Sequence, residues 1–264
     1  METFRLKNII LLILLLVNGF LAATLLMQAS NESKTQARLE QELQERFRSN
    51  NVRLTAQLPA AQPPAAQVLT RDSATESALA SALLGGSPTP ADDGGGVSRY
   101  QSTLGQAVFY AGGRFSAAGT LAEDGEPFCR RFCRAHDLQD LTFSLDEKIS
   151  GSAQAVPYYE GLPVANAPFS FLLRQGALIS VSGTVLPSGT GTTAPVSLDA
   201  VTALSLFLDE RRQSGAVVSA VTNVDLCYWL ESSSSSITLT PAWRITTDTV
   251  PYYVNCSTGA VSHD

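Results

Sequence analysis

Apolar and polar positions along the chain fall into three regimes. The first is a run without a charge, Asn8 to Met27 (NIILLILLLVNGFLAATLLM), interrupted only by Asn18 and Gly19. At about 1.5 Å of rise per residue, such a run covers about 30 Å, the thickness of a bilayer core. It predicts a transmembrane anchor within residues 1–30. A cleaved signal is the competing reading, but the run is long, and Gln28 to Glu32 offers a poor cleavage site. Arg5 and Lys7 precede the run, so the positive-inside rule places a short start in the cytoplasm and the remainder outside, as in a single-pass cell-membrane protein.

The second regime has a helical period. Across 31–57, Leu39, Leu43 and Phe47 recur at i, i+4, i+8 among Glu, Gln and Arg, which predicts a helical stalk. The stripe reads either as a solvated continuation of the anchor or as a surface for a partner. Residues 58–125 form an α/β portion that starts with a proline-containing connector at 58–67. A short helix follows, opened by a Ser73/Glu76 capping box and closed by Gly85–Gly86. Next come a flexible loop over 86–97 and a hairpin over 99–121 that turns at Gly112–Gly113.

The third regime is a helix followed by alternating strands, and it occurs twice. Residues 126–190 open with EPFCRRFCRAHDL, a helix with Phe128, Phe132, Ala135 and Leu138 toward a core, and continue as strands near 140–149, 154–159, 166–174 and 177–185. Residues 191–264 repeat the plan. Ser197 is the expected N-cap, Asp199 and Arg211–Arg212 suit the two ends of the helix dipole, and Gly215 stops the helix. Strands follow near 217–230, 237–247 and 250–256. The expected fold class is therefore α+β: one N-terminal transmembrane helix, then repeated modules of a helix and an antiparallel β-meander.

Composition narrows the function. Charged residues make up 16% of the 264 residues and the formal net charge is -6, so there is no basic surface to neutralise phosphates, and nucleic acid is excluded as a partner. Two histidines leave little for acid–base or metal chemistry. The chain has no G-x-S-x-G, and Gly94–Gly96 is followed by Val97–Ser98 instead of Lys-Ser/Thr, so neither a nucleophile elbow nor a phosphate loop is present. The acidic pairs Asp92–Asp93 and Glu123–Asp124 sit in turn-like sequence and read as solvated surface.

The four cysteines are Cys129, Cys133, Cys227 and Cys256. Cys129 and Cys133 lie one helical turn apart, and Cys227 and Cys256 fall on strands separated by the Trp243 strand. Both placements suit a disulfide poorly. Free buried thiols and a helix-to-sheet bridge are both compatible with the spacing. Cys129, Cys133 and His136 also spell C-x3-C-x2-H, but a structural zinc site needs a fourth ligand. His136 reads instead as a solvated residue at a helix C-terminus. The expectation is a protein without metal or cofactor that binds partners and does not catalyse.

The C-terminal residues resemble a known family. Pro241-Ala242-Trp243-Arg244, Tyr252-Tyr253-Val254-Asn255 and Thr258-Gly259-x-Val261 are similar to the closing hairpin of the YycI/YycH regulatory proteins and, more loosely, of PepSY-type modules. Val224-Asp225-Leu226-Cys227-Tyr228, with Cys where the pattern has Gly, and Tyr158-Tyr159-Glu160-Gly161-Leu162-Pro163-Val164 resemble its earlier parts. The resemblance implies a non-enzymatic, extracytoplasmic accessory regulator of a membrane sensor histidine kinase in a two-component system controlling cell-wall metabolism. It also implies a paralogous accessory protein as second partner. Contact would run through the exported domain and through the span, where Asn18 and Gly19 suit close helix packing. Leu39, Leu43 and Phe47 are the further candidate contacts. The alternative is a PepSY-like exported inhibitor or modulator of a protease or cell-wall hydrolase.

Overall fold

The structure, a computed structural model, describes residues 17–20, 38–187, 189–192, 196, 198–233 and 236–263. The chain divides into two compact units, residues 1–54 and 55–264. In the first unit, residues 38–49 form helix α1, with Leu43 and Phe47 buried and Leu39 exposed. Asn51 takes the left-handed conformation (φ 55°) just past the helix, and the Val52 N–H reaches back to the Phe47 carbonyl at 3.0 Å. This satisfies a carbonyl the helix leaves open. Arg53–Leu54 is a short strand, β1.

The second unit runs in the order β2 (Gln67–Thr70), α2 (Ser73–Leu84), β3 (Thr89–Gly94), β4 (Val97–Ser102), β5 (Gly105–Phe109), β6 (Arg114–Ala122) and α3 (Gly125–Ala135). It continues with β7 (Leu138–Leu145), β8 (Gly151–Tyr159), β9 (Leu162–Pro163), β10 (Phe169–Arg174), β11 (Ala177–Thr184) and β12 (Gly189–Thr192). The last part is α4 (Ala200–Ser214), β13 (Ala220–Ser232), β14 (Ser236–Thr247), β15 (Tyr252–Asn255) and β16 (Val261–His263).

A large antiparallel sheet has the order β3-β4-β5-β6-β11-β10-β8-β7, with β9 on β8. Its register sets one face against the core and one in water. Ala107, Ala117, Val181, Phe171 and Ala153 lie in one cross-strand row, and all are buried. The neighbouring row is Ser116, Ser182, Ser170 and Gln154. A polar row beside an apolar one is the period-2 pattern of a half-covered sheet. Helices α2 and α3 cover the apolar face with Leu79, Leu83, Cys129 and Phe132. α3 can start against the sheet only because residue 125 is glycine: its N–H donates to the Gly176 carbonyl at 2.8 Å, and a Cβ there would stand 2.6 Å from that oxygen.

The terminal sheet is built on β14. β13 pairs along one side of it, while β2 and then β15 share the other, β2 opposite Ser236–Leu239 and β15 opposite Ala242–Ile245. Pro241 stands at the seam between these two neighbours. Its carbonyl faces the seam and accepts the Cys256 N–H at 2.9 Å, so its missing N–H faces the same gap and costs no ladder bond. α4 packs on this sheet through Phe207 and Tyr252, ring centroids 4.9 Å apart. Segment 164–166 joins the two sheets: the Ala165 N–H donates to the Tyr228 carbonyl at 3.0 Å. The Asn166 amide then donates to the Leu230 carbonyl (2.8 Å) and accepts its N–H (2.7 Å), standing in for a strand neighbour.

The expected fold class is corrected on two points. The protein is mostly β, with two extended antiparallel sheets in place of repeated helix-and-meander modules. β6 hydrogen-bonds β11, so strands before and after α3 share one sheet. Among the described residues no helix is long and apolar enough to cross a membrane, which conflicts with the single-pass, cell-membrane expectation. A span needs about 20 apolar helical residues, whereas α4 has 15 and carries Asp209, Glu210, Arg211 and Arg212. Of the Asn8–Met27 run, all but Val17–Phe20 lies outside the described residues.

Three local expectations are corrected as well. The stretch 86–97, expected as a flexible loop, forms β3 and its turn into β4, with Asp92 opposite Ser98 and an Arg99–Asp93 ion pair at 2.7 Å. Asp72, not Ser73, caps α2 by accepting the Ala74 and Thr75 N–H groups at 3.0 Å each, because Glu76 is drawn to Arg71 instead of closing a capping box. Asp199, not Ser197, caps α4, accepting the Thr202 N–H at 2.7 Å.

Candidate binding crevice

All four cysteines are buried and free, so the helix-to-sheet bridge is not formed. Burial pushes the thiols of Cys129, Cys227 and Cys256 up to about 12 and that of Cys133 to about 11. At neutral pH they are protonated, and a thiol in that state is a weak nucleophile. Among the described residues no group of three or more His, Cys, Asp or Glu is placed to hold a metal. The acidic pairs serve local structure: Asp92 accepts the Gly94 N–H at 2.8 Å, and Asp124 pairs with Arg131 at 2.9 Å.

The candidate contact residues divide. Asn18 and Gly19 are exposed in the described helical segment 17–20. Leu39 is 38% exposed, whereas Leu43 and Phe47 are at 2% and 1%, so only Leu39 of the stripe is open to a partner. His136 is not the solvated residue expected. It ends α3 with its ring 4.4 Å from that of Phe132, and burial lowers its pKa against the opposing pull of Asp137.

His136 instead borders a crevice of about 380 Å³. Five segments build it: Thr75, Ala78 and Leu79 from α2, then His136–Leu138, Tyr158–Glu160, Phe169 and Thr184–Pro187. Leu79, Leu138 and Phe169 are buried and form the floor, while Asp137 and Glu160 are exposed at the rim. Both rim acids have left-handed backbone, φ 51° and 48°. Such conformations persist only where the surroundings impose them. Here the Asp137 carbonyl accepts the Tyr158 N–H at 3.0 Å, which ties the two sides of the rim together.

Hydrogen bonds orient the remaining polar groups. The Tyr158 hydroxyl donates to Asp140 at 3.3 Å, and burial followed by the Asp140 charge raises its pKa. Glu160 accepts from the buried Gln67 amide at 3.5 Å. Behind the crevice wall Tyr228 is fully buried, its ring edge-on to Tyr159 with centroids 6.1 Å apart. Its hydroxyl lies beside Gln67 and Glu160, and no group meets it in good hydrogen-bond geometry. Burial first, then Glu160, raises its pKa.

A second, more open hollow of about 450 Å³ lies beyond Thr184. Gly183 is required between the two, since a Cβ there would come within 2.9 Å of the Phe169 ring. That hollow is lined by Tyr110, Arg114, Ser182 and Asn166 among others, and the Asn166 amide is already spent on Leu230.

The sequence pattern singled out none of Asp137, Tyr159, Glu160 or Thr184 as site residues. The one local signal was Tyr158-Tyr159-Glu160-Gly161, a turn crowded with hydrogen-bonding side chains.

No protein family matches the chain, and no curated protein matches it. Among solved structures it is similar to an uncharacterized protein from Eubacterium rectale at 10% identity, with 77% of this chain and 81% of that chain covered and a TM-score of 0.44.

Proposed function

We propose that the chain is a non-catalytic binding protein that modulates a partner by direct contact, and that the crevice bordered by His136 and Tyr159 is its recognition site. The single observation that carries this is the crevice itself: an apolar floor, aromatic walls and a rim of acids held on imposed backbone conformations, the make-up of a preformed recognition site. The four protonated thiols and the paired acids are consistent with it, since those groups are engaged in packing, caps and ion pairs. The resemblance of the C-terminal hairpin to YycI/YycH proteins supplies the partner class to try first, a sensor histidine kinase with a paralogous accessory protein. The reading needs no contact through a membrane helix.

Ala78 is exposed on α2 at the mouth of the crevice, so Ala78→Phe fills the mouth without disturbing a buried side chain. The full chain and this variant are each cross-linked in the native host and the captured proteins identified by mass spectrometry. The expected result is a histidine kinase recovered with the full chain and lost with Ala78→Phe. Equal recovery by both would remove the crevice from the reading, and recovery of no kinase would remove the partner class.

A further inference from the structure

We propose that the crevice selects an organic cation, a primary ammonium or guanidinium carried on a short aliphatic stem. This rests on the reading of the crevice as a recognition site and names the chemistry it recognises. Its lining carries two carboxylates, Asp137 and Glu160, and three aromatic rings, Tyr158, Tyr159 and Phe169, and none of the residues lining it is Lys or Arg. The nearest base on its border, His136, is held neutral at neutral pH by burial. Aromatic faces attract cations and carboxylates pair with them, so the carboxylates and rings of the lining favour positive charge, and the carboxylates oppose an anion.

The layout also fits the stem. The apolar residues Leu79 and Leu138 lie at the floor and the acids at the rim, so a cation enters with its methylene stem on the floor and its head between the carboxylates. This is how long basic side chains divide themselves between apolar and wet surroundings. A volume of about 380 Å³ lies at the small end of ligand sites, which run from about 300 to 1,000 Å³.

Two sources supply this chemistry, a free diamine and a basic side chain on a protein, and the test separates them. The isotope-labelled full chain is titrated with cadaverine, with the peptide N-acetyl-Ala-Lys-Ala-amide and with glutarate as the anionic match, and amide shifts are followed by NMR. Saturable shifts at Thr75, Leu138 and Val185 are expected with one or both cations and none with glutarate. Tighter binding of the peptide assigns the site to a protein's basic side chain, and tighter binding of cadaverine assigns it to a free amine.

The double variant Asp137→Asn, Glu160→Gln keeps side-chain size, and Asn tolerates the left-handed backbone at 137. Its spectrum outside the crevice serves as the folding control. Rim carboxylates in water contribute modestly, so a loss of about fivefold or more in affinity is expected, and salt should weaken wild-type binding. Glutarate binding as well as cadaverine, unchanged affinity in the double variant, or no saturable shift with either cation would overturn the proposal. Those outcomes are independent of partner capture by the Ala78→Phe pair, so the cation chemistry can fail while the recognition site stands.

Discussion

Along β10, Phe169, Phe171 and Leu173 are buried while Leu172 between them is 45% exposed. Along β14, five consecutive residues from Leu239 to Trp243 are buried. Both strands are central in antiparallel sheets, so the difference lies in what covers each face. The large sheet rests α2 and α3 on one side and leaves serines and Gln154 on the other. The terminal sheet takes α4 on the face carrying Trp243 and Tyr252, whose contacts are the Trp243 indole N–H on the Leu198 carbonyl at 2.8 Å and the Phe207 ring. Its opposite face is roofed by its own long side chains: Trp229 and Tyr253, with rings 4.9 Å apart, cluster with the small Cys227 and Ala242. The Arg244–Asp225 pair lies beside them. A sheet covered on one face shows period 2 in its sequence, and one covered on both loses that period.

The largest effect expected from this comparison is at Trp243. Trp243→Ala removes a fully buried ring from the doubly covered sheet and leaves the Leu198 carbonyl without its donor. A loss of about 4–5 kcal/mol is expected, the upper part of the range for such truncations. Phe171→Ala in the half-covered sheet should cost about 3 kcal/mol, because the helices α2 and α3 that close its core from one side can settle inward. Urea unfolding of both variants measures the difference, and a larger loss at Phe171 would reverse the comparison.

Next in size is Arg71–Glu76, which crosses between the two regions. Arg71 follows β2 of the terminal sheet and pairs with Glu76 on α2 through Nε and Nη2, while Nη1 donates to the Gly96 carbonyl and Nη2 also, at 3.1 Å, to the Ser98 hydroxyl on the β3–β4 hairpin. Glu76 is 2% exposed and Arg71 24%. Glu76→Gln keeps the volume and leaves the guanidinium facing a neutral amide, at an expected cost of about 2 kcal/mol. Thermal unfolding should show a lower midpoint, and a loss under about 0.5 kcal/mol would mean that the ion pair does not hold the regions together.

The two pairs of cysteines report on the regions separately. Cys129 and Cys133 are exposed once α3 lifts from the large sheet, whereas Cys227 needs the aromatic roof of the terminal sheet to open. In mild urea, labelling of Cys129 and Cys133 should run at least about tenfold faster than that of Cys227 and Cys256, equivalent to about 1.4 kcal/mol in opening free energy. Peptide mass spectrometry reads the order, and equal rates would show that the two regions open as one. The pH dependence has a fixed sign. The folded thiols titrate near 11 to 12, above the ordinary value of 9.0. The stability their burial supports is therefore complete below about pH 9 and falls as pH rises toward 12.

Local sequence carried individual elements, but neither their assembly into two sheets nor the site, for a physical reason. Helix α4 and strands β13 to β15 follow from bulky strand residues, charges suited to the ends of the helix dipole and Gly215, all of which act within a few positions. The placement of Cys227 and Cys256 on either side of the Trp243 strand also follows from spacing. Strand β3 does not, because Thr89-Pro90-Ala91-Asp92-Asp93-Gly94 has the composition of a loop and becomes a strand only by pairing with β4. The joining of β6 to β11 is likewise non-local. The apolar run at 8–27 satisfied a rule of length and hydropathy, which no described helix meets. The crevice was least legible of all, since its five segments are brought together only by the docking of α2 and α3 on the large sheet.

The smallest effect tests the half-covered face by a pair of adjacent residues. Leu172 and Leu173 share chemistry and strand, and the register places them on opposite faces: Leu172 opposite Ser180 and Ser152 on the polar side, Leu173 opposite Leu178 and Gly151 on the core side. Leu173→Ala should cost about 2–4 kcal/mol, as for a leucine at 1% exposure. Leu172→Thr should change stability by less than about 0.5 kcal/mol, because it trades one exposed apolar side chain for a β-branched residue suited to strands. A cost at Leu172 approaching that at Leu173 would mean that the serine face is covered in solution, by a second copy or a partner. The large sheet would then follow the same rule of burial as the terminal one.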